Sequence, residues 1–445
     1  MKRFLWLGFV LSLYLICSGC GQTYRPIIIP NAPIFPNPKA AHTAVSINDN
    51  GTFVPGSAMV VDVSGDTNIS VEDVGVAPVH AVQQTGNQVL VVNQSATGSQ
   101  GDSITKLTFN SILINGKSTI SLPSNSAPNF VATTEANQAY VTLPGLTPPS
   151  VGIVNTNSNS LVNTIPVGIN PVALAETPNT QKLYVANQGD NTVSGFNTLD
   201  RSPRGVTTIN DPVWLIVRSD SQRLYALGNG VVSTLDITAT AGPDNLIDAG
   251  ITAPGAAFML YDSNLNRLYI PGTAPLTMQA QLTMLDVSQS TPHLIGTTPI
   301  AVPTIPPSSR TAADPCAATQ STTLKAVAVT ALPDGSRAYV GAYYEDANHN
   351  ICPQVTVIDA VSNSIKSNIA IPGFAAFDTF CSASRFRLMM AASGDSTRAY
   401  LSSCDGGNVN IIDTSTDTYV VGLPAPVGSR VQNPPQNPVF LIAGP

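Results

Sequence analysis

The chain has 445 residues, of which 43% are hydrophobic and only 11% are charged, against roughly 25% charged residues in an average soluble protein. The apolar residues fall in short runs separated by Ser, Thr, Asn, Gly and Pro, and this supply of core material argues against a disordered chain. The formal net charge is −7 at pH 7, and no Lys/Arg cluster offsets it. A polyanion would be repelled, so we expect no nucleic acid among the partners.

Residues 1–19 have the pattern of a secretory signal peptide. Lys2 and Arg3 precede an apolar stretch, Phe4 to Ile16, that is too short to span a bilayer, and Cys17-Ser-Gly-Cys20 follows. This ending resembles a bacterial lipoprotein signal, in which small residues precede a Cys that is lipidated and becomes the new N-terminus. The resemblance implies lipid attachment at Cys20, and plain secretion with Cys20 incidental is the alternative.

Residues 20–41 are predicted to be a lipidated cysteine followed by a tether. Five prolines lie between Gln22 and Lys39, and they favour an extended, semi-rigid chain. We therefore expect an exported lipoprotein of the cell envelope, in the outer membrane or facing the periplasm. Its lipid would be its only contact with the membrane.

One supersecondary unit is repeated through residues 42–445. Its third strand is an apolar run that ends in Asp or Asn before a small polar turn, as in Thr356-Val-Ile-Asp359-Ala-Val-Ser-Asn. Asp and Asn side chains accept hydrogen bonds from amides of the following turn, so we interpret them as turn formers and not as a ring of catalytic or metal-binding carboxylates. The eight positions are Asp62, Asn110, Asn155, Asn197, Asp236, Asp286, Asp359 and Asp413.

Four short strands make up each copy, most clearly between Asn170 and Ile209, and turn residues separate them. The strands are apolar at both parities, as expected for a sheet that is packed on both faces by its neighbours. The sequence thus predicts an all-β fold, a β-propeller of four-stranded antiparallel blades.

The stretch Tyr184-Val-Ala-Asn-Gln-Gly-Asp-Asn-Thr-Val resembles the tyrosine-valine-x-asparagine pattern of the YVTN-type β-propeller repeat family (YncE-like proteins). The resemblance covers nearly everything from residue 42 onward. Counting the Asp and Asn turns gives eight blades, and seven, the usual number in that family, is the alternative. The first copy lacks its first strand, whereas Pro438 to Ala443 is an unaccompanied strand. We expect this C-terminal strand to complete the first blade, which removes two exposed sheet edges.

Four cysteines lie in long loops of the last two blades. In each of these blades one Cys precedes the first strand and another lies in the second-to-third loop, on the same face. Three pairings are possible, and we favour Cys316 with Cys352 and Cys381 with Cys404, since export makes disulfides plausible. A metal site is the less favoured alternative because no CxxC spacing occurs. We expect no metal and no cofactor.

The face formed by the second-to-third loops and the blade-to-blade connections is the predicted functional face, because its loops are long and variable. One insertion in it combines aromatic and arginine side chains, which are common anchors of binding surfaces. The candidate binding residues are Phe374, Phe377, Phe380, Arg385 and Arg387, together with Trp214 and His80 near the starts of first strands. For each of them ordinary packing is the competing interpretation.

No catalytic residue can be assigned from the sequence, so an enzyme is the less favoured interpretation. We expect a monomeric, non-catalytic binding or scaffold propeller whose partner is an envelope protein or a small polar ligand. The alternative, to which the family resemblance also reaches, is a lactonase-like hydrolase at the central channel mouth. An acid/base group such as His80 within hydrogen-bond reach of Arg or carboxylate partners would favour hydrolysis.

Overall fold

A computed structural model of the chain describes residues 43–51, 54–95, 101–301, 316, 323–346, 349–372, 375–376, 378–383, 385–425 and 437–444. All of them belong to the unit Pro38–Pro445. The predicted signal peptide, Cys20, the tether, Phe374 and Phe377 lie outside the described residues. Within those ranges no helix has the length and apolar character needed to cross a membrane.

Eight antiparallel sheets form the fold, and in all but the first the strands follow one another in chain order. The eight-blade prediction is therefore confirmed. The strands of the first blade are β1 (Thr43–Asp49), β2 (Pro55–Asp62), β3 (Thr67–Val76) and the last strand of the chain, β33 (Asn437–Ala443). The strands of blades 2 and 3 are β4 (Pro78–Gln84), β5 (Gln88–Asn93), β6 (Ser103–Asn110), β7 (Leu113–Ser121), β8 (Val131–Ala132), β9 (Gln138–Leu143), β10 (Ser150–Asn155) and β11 (Ser160–Pro166).

Blades 4 to 6 repeat the same arrangement without insertions of regular structure between their four strands, apart from a 3-10 turn at Gln188–Asp190. Their strands are β12 (Pro171–Glu176), β13 (Lys182–Asn187), β14 (Thr192–Asn197), β15 (Pro203–Thr208), β16 (Pro212–Val217), β17 (Arg223–Gly228), β18 (Val231–Asp236), β19 (Asn245–Thr252), β20 (Leu260–Asp262), β21 (Arg267–Thr273), β22 (Ala280–Asp286) and β23 (His293–Ile300).

The last two blades carry the additional elements, namely the two-residue strand β28 (Ala375–Ala376), which pairs with the third strand of blade 7, and the short helix α1 (Thr379–Ala383). The other strands of these blades are β24 (Leu324–Ala331), β25 (Arg337–Glu345), β26 (Asn350–Asp359), β27 (Ser364–Ala370), β29 (Leu388–Ala392), β30 (Arg398–Ser403), β31 (Asn408–Asp413) and β32 (Thr418–Pro424).

The two ends of the described chain close the ring, as predicted. Strand β33 pairs antiparallel with β1, with Ile47 opposite Phe440. An ion pair at the same junction joins Arg398 in blade 8 to Asp66 in blade 1, with Nε 2.9 Å from Oδ1 and Nη2 3.0 Å from Oδ2. The backbone ladder therefore joins the C-terminal strand to the first blade, and the two-pronged ion pair links the last blade to the first.

The Asp and Asn turns dock successive blades against one another. Six of the eight side chains accept a hydrogen bond from an amide of their own turn, as predicted. Backbone carbonyl groups of the turn then accept hydrogen bonds from a Lys or Arg side chain of the preceding blade. In most cases this Lys or Arg lies two residues before the Tyr of the second strand. Such contacts are Lys182 to Ile237 and Ala239, Arg223 to Ser290, Arg267 to Ala360, and Arg337 to Thr414.

The core lies between the blades. Its largest members include the second-strand tyrosines, which are at most 1% exposed and fill the same place at successive blade interfaces. They are Tyr140, Tyr184, Tyr225, Tyr269, Tyr339 and Tyr400. Because each sheet is buried on both faces, the first strands are held rigidly around the central channel.

Candidate functional site

Five of the first strands that line the central channel carry a β-bulge toward their N-terminal ends. The ladder shifts register between Pro171 and Ala173 and between Pro212 and Trp214, so that Val172 and Val213 are left out of it. A bulged residue has backbone groups that are not used by the neighbouring strand. Equivalent shifts leave out Val79, Val327 and Val439, and all five valines line one cavity.

Six aromatic rings, each from a different first strand or from the residues just before it, contact one another in a closed circle across the channel. They lie in the order His80, Phe130, Trp214, Phe258, Phe386 and Phe440, with centroid distances from 3.9 Å (His80 to Phe130) to 6.3 Å (Phe258 to Phe386). All six are buried. We call these six residues the aromatic plug. Most of their ring pairs are tilted or edge-to-face, the arrangements that aromatic pairs prefer.

The aromatic plug separates two cavities. One, of about 690 Å³, opens on the connection face, which carries the second-to-third loops and the blade-to-blade connections, and Phe258 and Phe386 form part of its wall. The other, of about 560 Å³, opens on the opposite turn face and is lined by His80, Phe130 and Phe440. The larger cavity lies on the face that the sequence analysis selected.

Arg385 places a guanidinium group in the connection-face cavity. Its Nη1 donates to the carbonyl of Val172 and its Nη2 to that of Val213, both at 2.6 Å. The guanidinium carbon lies 5.1 Å from the ring centroid of Trp214 and 5.4 Å from that of Phe130. The guanidinium is exposed to the solvent of the channel, but the channel walls surround it on its other sides. This partial removal from water lowers the pKa of Arg385 to about 10. The side chain therefore stays cationic at neutral pH.

Arg387, the second predicted guanidinium, is engaged elsewhere. Its Nε lies 2.9 Å from Oδ2 of Asp405, and both side chains are almost fully buried. It also lies over the ring of Tyr343, 5.4 Å from the centroid. Burial raises the pKa of the Asp405 carboxyl above its ordinary value, and the Arg387 charge acts in the opposite direction. Arg387 thus anchors the insertion and does not line the cavity.

His80 is a member of the aromatic plug. Its Nδ1 accepts a hydrogen bond from the amide of Val131 at 3.4 Å, and its ring stacks on Phe130. Burial, and then the charge of Arg385, hold the pKa of His80 well below its usual range, so the ring is neutral. Over the ranges that the structure covers, neither a carboxylate nor an arginine is hydrogen-bonded to His80. The arrangement that would have favoured hydrolysis is not formed there.

Two disulfides hold the insertions of blades 7 and 8, and they have the predicted pairing. Cys316 is joined to Cys352 and Cys381 to Cys404, each with a Cα–Cα distance of 5.7 Å. Cys381 lies in α1, so the second bridge fixes this helix, and with it Phe380 in the cavity wall, to the β30–β31 loop. Phe380 is 37% exposed.

Four further polar groups line the connection-face cavity, and sequence reasoning missed three of them, those of Gln94, Gln188 and Asp49. The four are the amides of Gln94, Asn129 and Gln188 and the carboxyl group of Asp49. Burial raises the pKa of Asp49 to about 6, although the amide of Gly51 donates to it at 3.0 Å. The described residues contain no group of three His, Cys, Asp or Glu side chains that could hold a metal ion.

No family model and no curated protein matches the chain, so membership of the YVTN-type family stays a prediction. Similar solved structures include the dihydro-heme d1 dehydrogenase NirN in complex with DHE (TM-score 0.61, 11% identity, 91% of this chain and 77% of that chain). Two others are AztD from Citrobacter koseri (0.58, 11%, 91% and 97%) and the periplasmic gluconolactonase PpgL of Pseudomonas aeruginosa (0.51, 13%, 74% and 96%). At these identities the likeness is one of fold alone, and the chain is an eight-bladed β-propeller.

Proposed function

We propose that this protein is a non-catalytic binding propeller whose ligand site is the connection-face cavity. The observation that carries the proposal is the shape of this cavity, which is about 690 Å³ in volume and has the aromatic plug as its floor. Small-molecule sites are typically concave, of roughly 300 to 1,000 Å³, mostly apolar, and furnished with a few polar groups. The valine bulges, Phe258 and Phe380 supply the apolar wall, and Arg385 and three amides supply the polar groups.

The runner-up function is lactone hydrolysis at the channel mouth, the activity for which one structural neighbour, the gluconolactonase PpgL, is named. His80 is the acid/base candidate, and its neutral ring is stacked in the aromatic plug without a carboxylate partner in the described chain. Hydrolysis needs a positioned proton acceptor with access to substrate. This weighs toward binding without turnover.

Filling the cavity should weaken the binding of an uncharged apolar probe. Ala257 lies in the cavity wall and is exposed to the channel, so the side chain of Ala257→Trp would fill part of the cavity in which a probe would bind. We expect the fluorescent probe N-phenyl-1-naphthylamine to bind the wild-type chain saturably and to lose at least tenfold in affinity in Ala257→Trp. Titration followed by probe fluorescence measures this.

The matched control is Ala249→Trp, which adds the same side chain at an exposed position of an outer strand, β19. Wild-type affinity in this control would attribute the loss to the cavity. Equal probe binding by wild type and Ala257→Trp would refute the proposed site. Hydrolysis of glucono-δ-lactone above the buffer rate that disappears in Ala257→Trp would instead establish the hydrolase.

We further propose that the chain is exported and held at the cell envelope by a lipid on Cys20. Support comes from the signal pattern before Cys20 and from the two disulfides, since such bridges persist in oxidising compartments. Cys20→Ser should move the protein from the membrane fraction to the soluble fraction, whereas Cys17→Ser should leave it in place. Fractionation and immunoblotting decide, and unchanged membrane association of Cys20→Ser would exclude the anchor.

A further inference from the structure

The connection-face cavity contains an uncompensated positive charge. Its described lining holds two charged side chains, Arg385 and Asp49. No carboxylate of the described residues forms an ion pair with Arg385, and burial lowers the pKa of its guanidinium. Asp49 lines the same cavity but forms no ion pair or hydrogen bond with Arg385, so it does not neutralise the guanidinium by direct contact.

The contacts that hold Arg385 position its charge without cancelling it. Val172 and Val213 offer neutral carbonyl groups, and the rings of Phe130, Trp214 and Phe386 lie 5.1 to 5.5 Å from the guanidinium carbon. Carbonyl dipoles and ring faces attract a cation, but each contributes much less than a full negative charge. Placing a cation among such walls costs free energy that an anionic partner would recover.

The geometry also leaves the guanidinium able to accept a further partner. Its two recorded hydrogen bonds use one N–H of Nη1 and one of Nη2, whereas a guanidinium carries five N–H donors in a planar fork. The others have no acceptor among the residues for which the structure gives positions. The carbonyl contacts fix the rotamer of a long side chain beforehand, so binding an anion would lose little conformational entropy.

We propose that the connection-face cavity binds an organic anion, with a carboxylate or sulfonate on an apolar or aromatic body, and that Arg385 anchors its charged group. The inference deepens the proposed function and rests on it. Arginine pairs with a carboxylate through two parallel N–H···O bonds, and three N–H groups of Arg385 are not used by Val172 and Val213. The apolar wall of Phe258, Phe380 and the bulged valines then contacts the body of the ligand, so a small inorganic anion would gain only the ion pair.

Paired probes of similar shape test the charge requirement. 1-Anilinonaphthalene-8-sulfonate is the anionic counterpart of N-phenyl-1-naphthylamine, and Trp214, which contacts Arg385, is a fluorescence reporter within the site. In a Trp6→Phe background of the full chain, we expect Arg385→Gln to weaken the sulfonate at least tenfold and to change the affinity of the neutral probe less than twofold. Fluorescence titration of both probes, with circular dichroism as a check on folding, measures this.

A competition on the unmodified chain covers the case in which Arg385→Gln fails to fold. Benzoate should displace the sulfonate probe at a concentration at least tenfold lower than benzyl alcohol, its uncharged analogue. Equal competition by benzoate and benzyl alcohol would overturn the organic-anion inference, and so would an Arg385→Gln variant that binds the sulfonate probe as tightly as wild type. The cavity proposal would stand in either case if the neutral probe still bound. If the wild-type chain bound neither probe, the cavity proposal itself would be overturned.

Discussion

Truncation of the chain after Gln436 is expected to abolish the folded propeller. The deletion removes β33, whose Val439, Phe440 and Leu441 are at most 4% exposed. Burial of each such side chain contributes about 2 kcal/mol, and the lost ladder to β1 adds to this. The sum is comparable to the whole stability of a typical protein, about 5 to 15 kcal/mol. Size-exclusion chromatography should show aggregate instead of monomer, and no cooperative thermal transition should remain.

Two further samples make this truncation informative. Removal of Pro445 alone keeps β33 and should leave the melting temperature within a few degrees of wild type. A peptide of residues 437–445 added to the truncated chain should restore part of the cooperative transition, because β1 then regains its partner. A truncated chain that melts like wild type would contradict the assignment of β33 as the closing strand.

Arg204→Ala is expected to lower the free energy of unfolding by about 3 to 5 kcal/mol, the usual cost of removing one partner from a buried ion pair. The Arg204 side chain is fully buried, and its Nη2 and Nε lie 2.6 and 3.1 Å from the two oxygens of Asp244. Asp244 also accepts a hydrogen bond from the Tyr184 hydroxyl at 2.8 Å. Alanine would leave the carboxylate buried without its cation. Urea denaturation measures the difference.

Lys117→Ala is the matched control for Arg204→Ala. The Lys117–Glu72 pair is more than one third exposed on both sides, and such pairs contribute about 0 to 1 kcal/mol. The double variant Arg204→Met with Asp244→Leu should recover much of the loss, because no charge is then left unpaired. If Arg204→Ala cost no more than Lys117→Ala, the buried network would not be a stabilising unit.

The blades were predictable because each repeat carries a recognisable sequence pattern. The Asp or Asn at the end of the third strand recurs in every blade, and the Tyr of the second strand recurs in blades 3 to 8. The Asp or Asn acts within its own turn, so its role can be inferred from the local sequence. Asn197 is an instructive exception, since its side-chain oxygen accepts a hydrogen bond from Arg204 at 3.0 Å. The sequence identified Asn197 as a turn residue. It did not predict the hydrogen bond to Arg204, because Arg204 lies in another strand.

The site was less predictable because its parts meet only after the ring closes. Aligning the first strands on their prolines places His80, Phe130, Trp214 and Phe440 at one position, two residues after Pro, which is a signal for the aromatic plug that local reading overlooks. Nothing local distinguishes Arg385 from Arg387, which are two residues apart. Asp405, held beside Cys404 of the second disulfide, pairs with Arg387, and Arg385 reaches the channel instead.

The docking contacts between blades have a direction, and this bears on how the chain could have grown. Lys182, Arg223, Arg267 and Arg337 each reach forward to the turn of the next blade, so blades 5 to 7 each have a donor on one flank and acceptors on the other. Association of this kind is head to tail and closes at whatever number of units the curvature allows. Duplication or deletion of one of blades 5 to 7 would therefore leave the interfaces of this stretch chemically matched, with Arg398 and Asp66 still meeting where the first and last blades join.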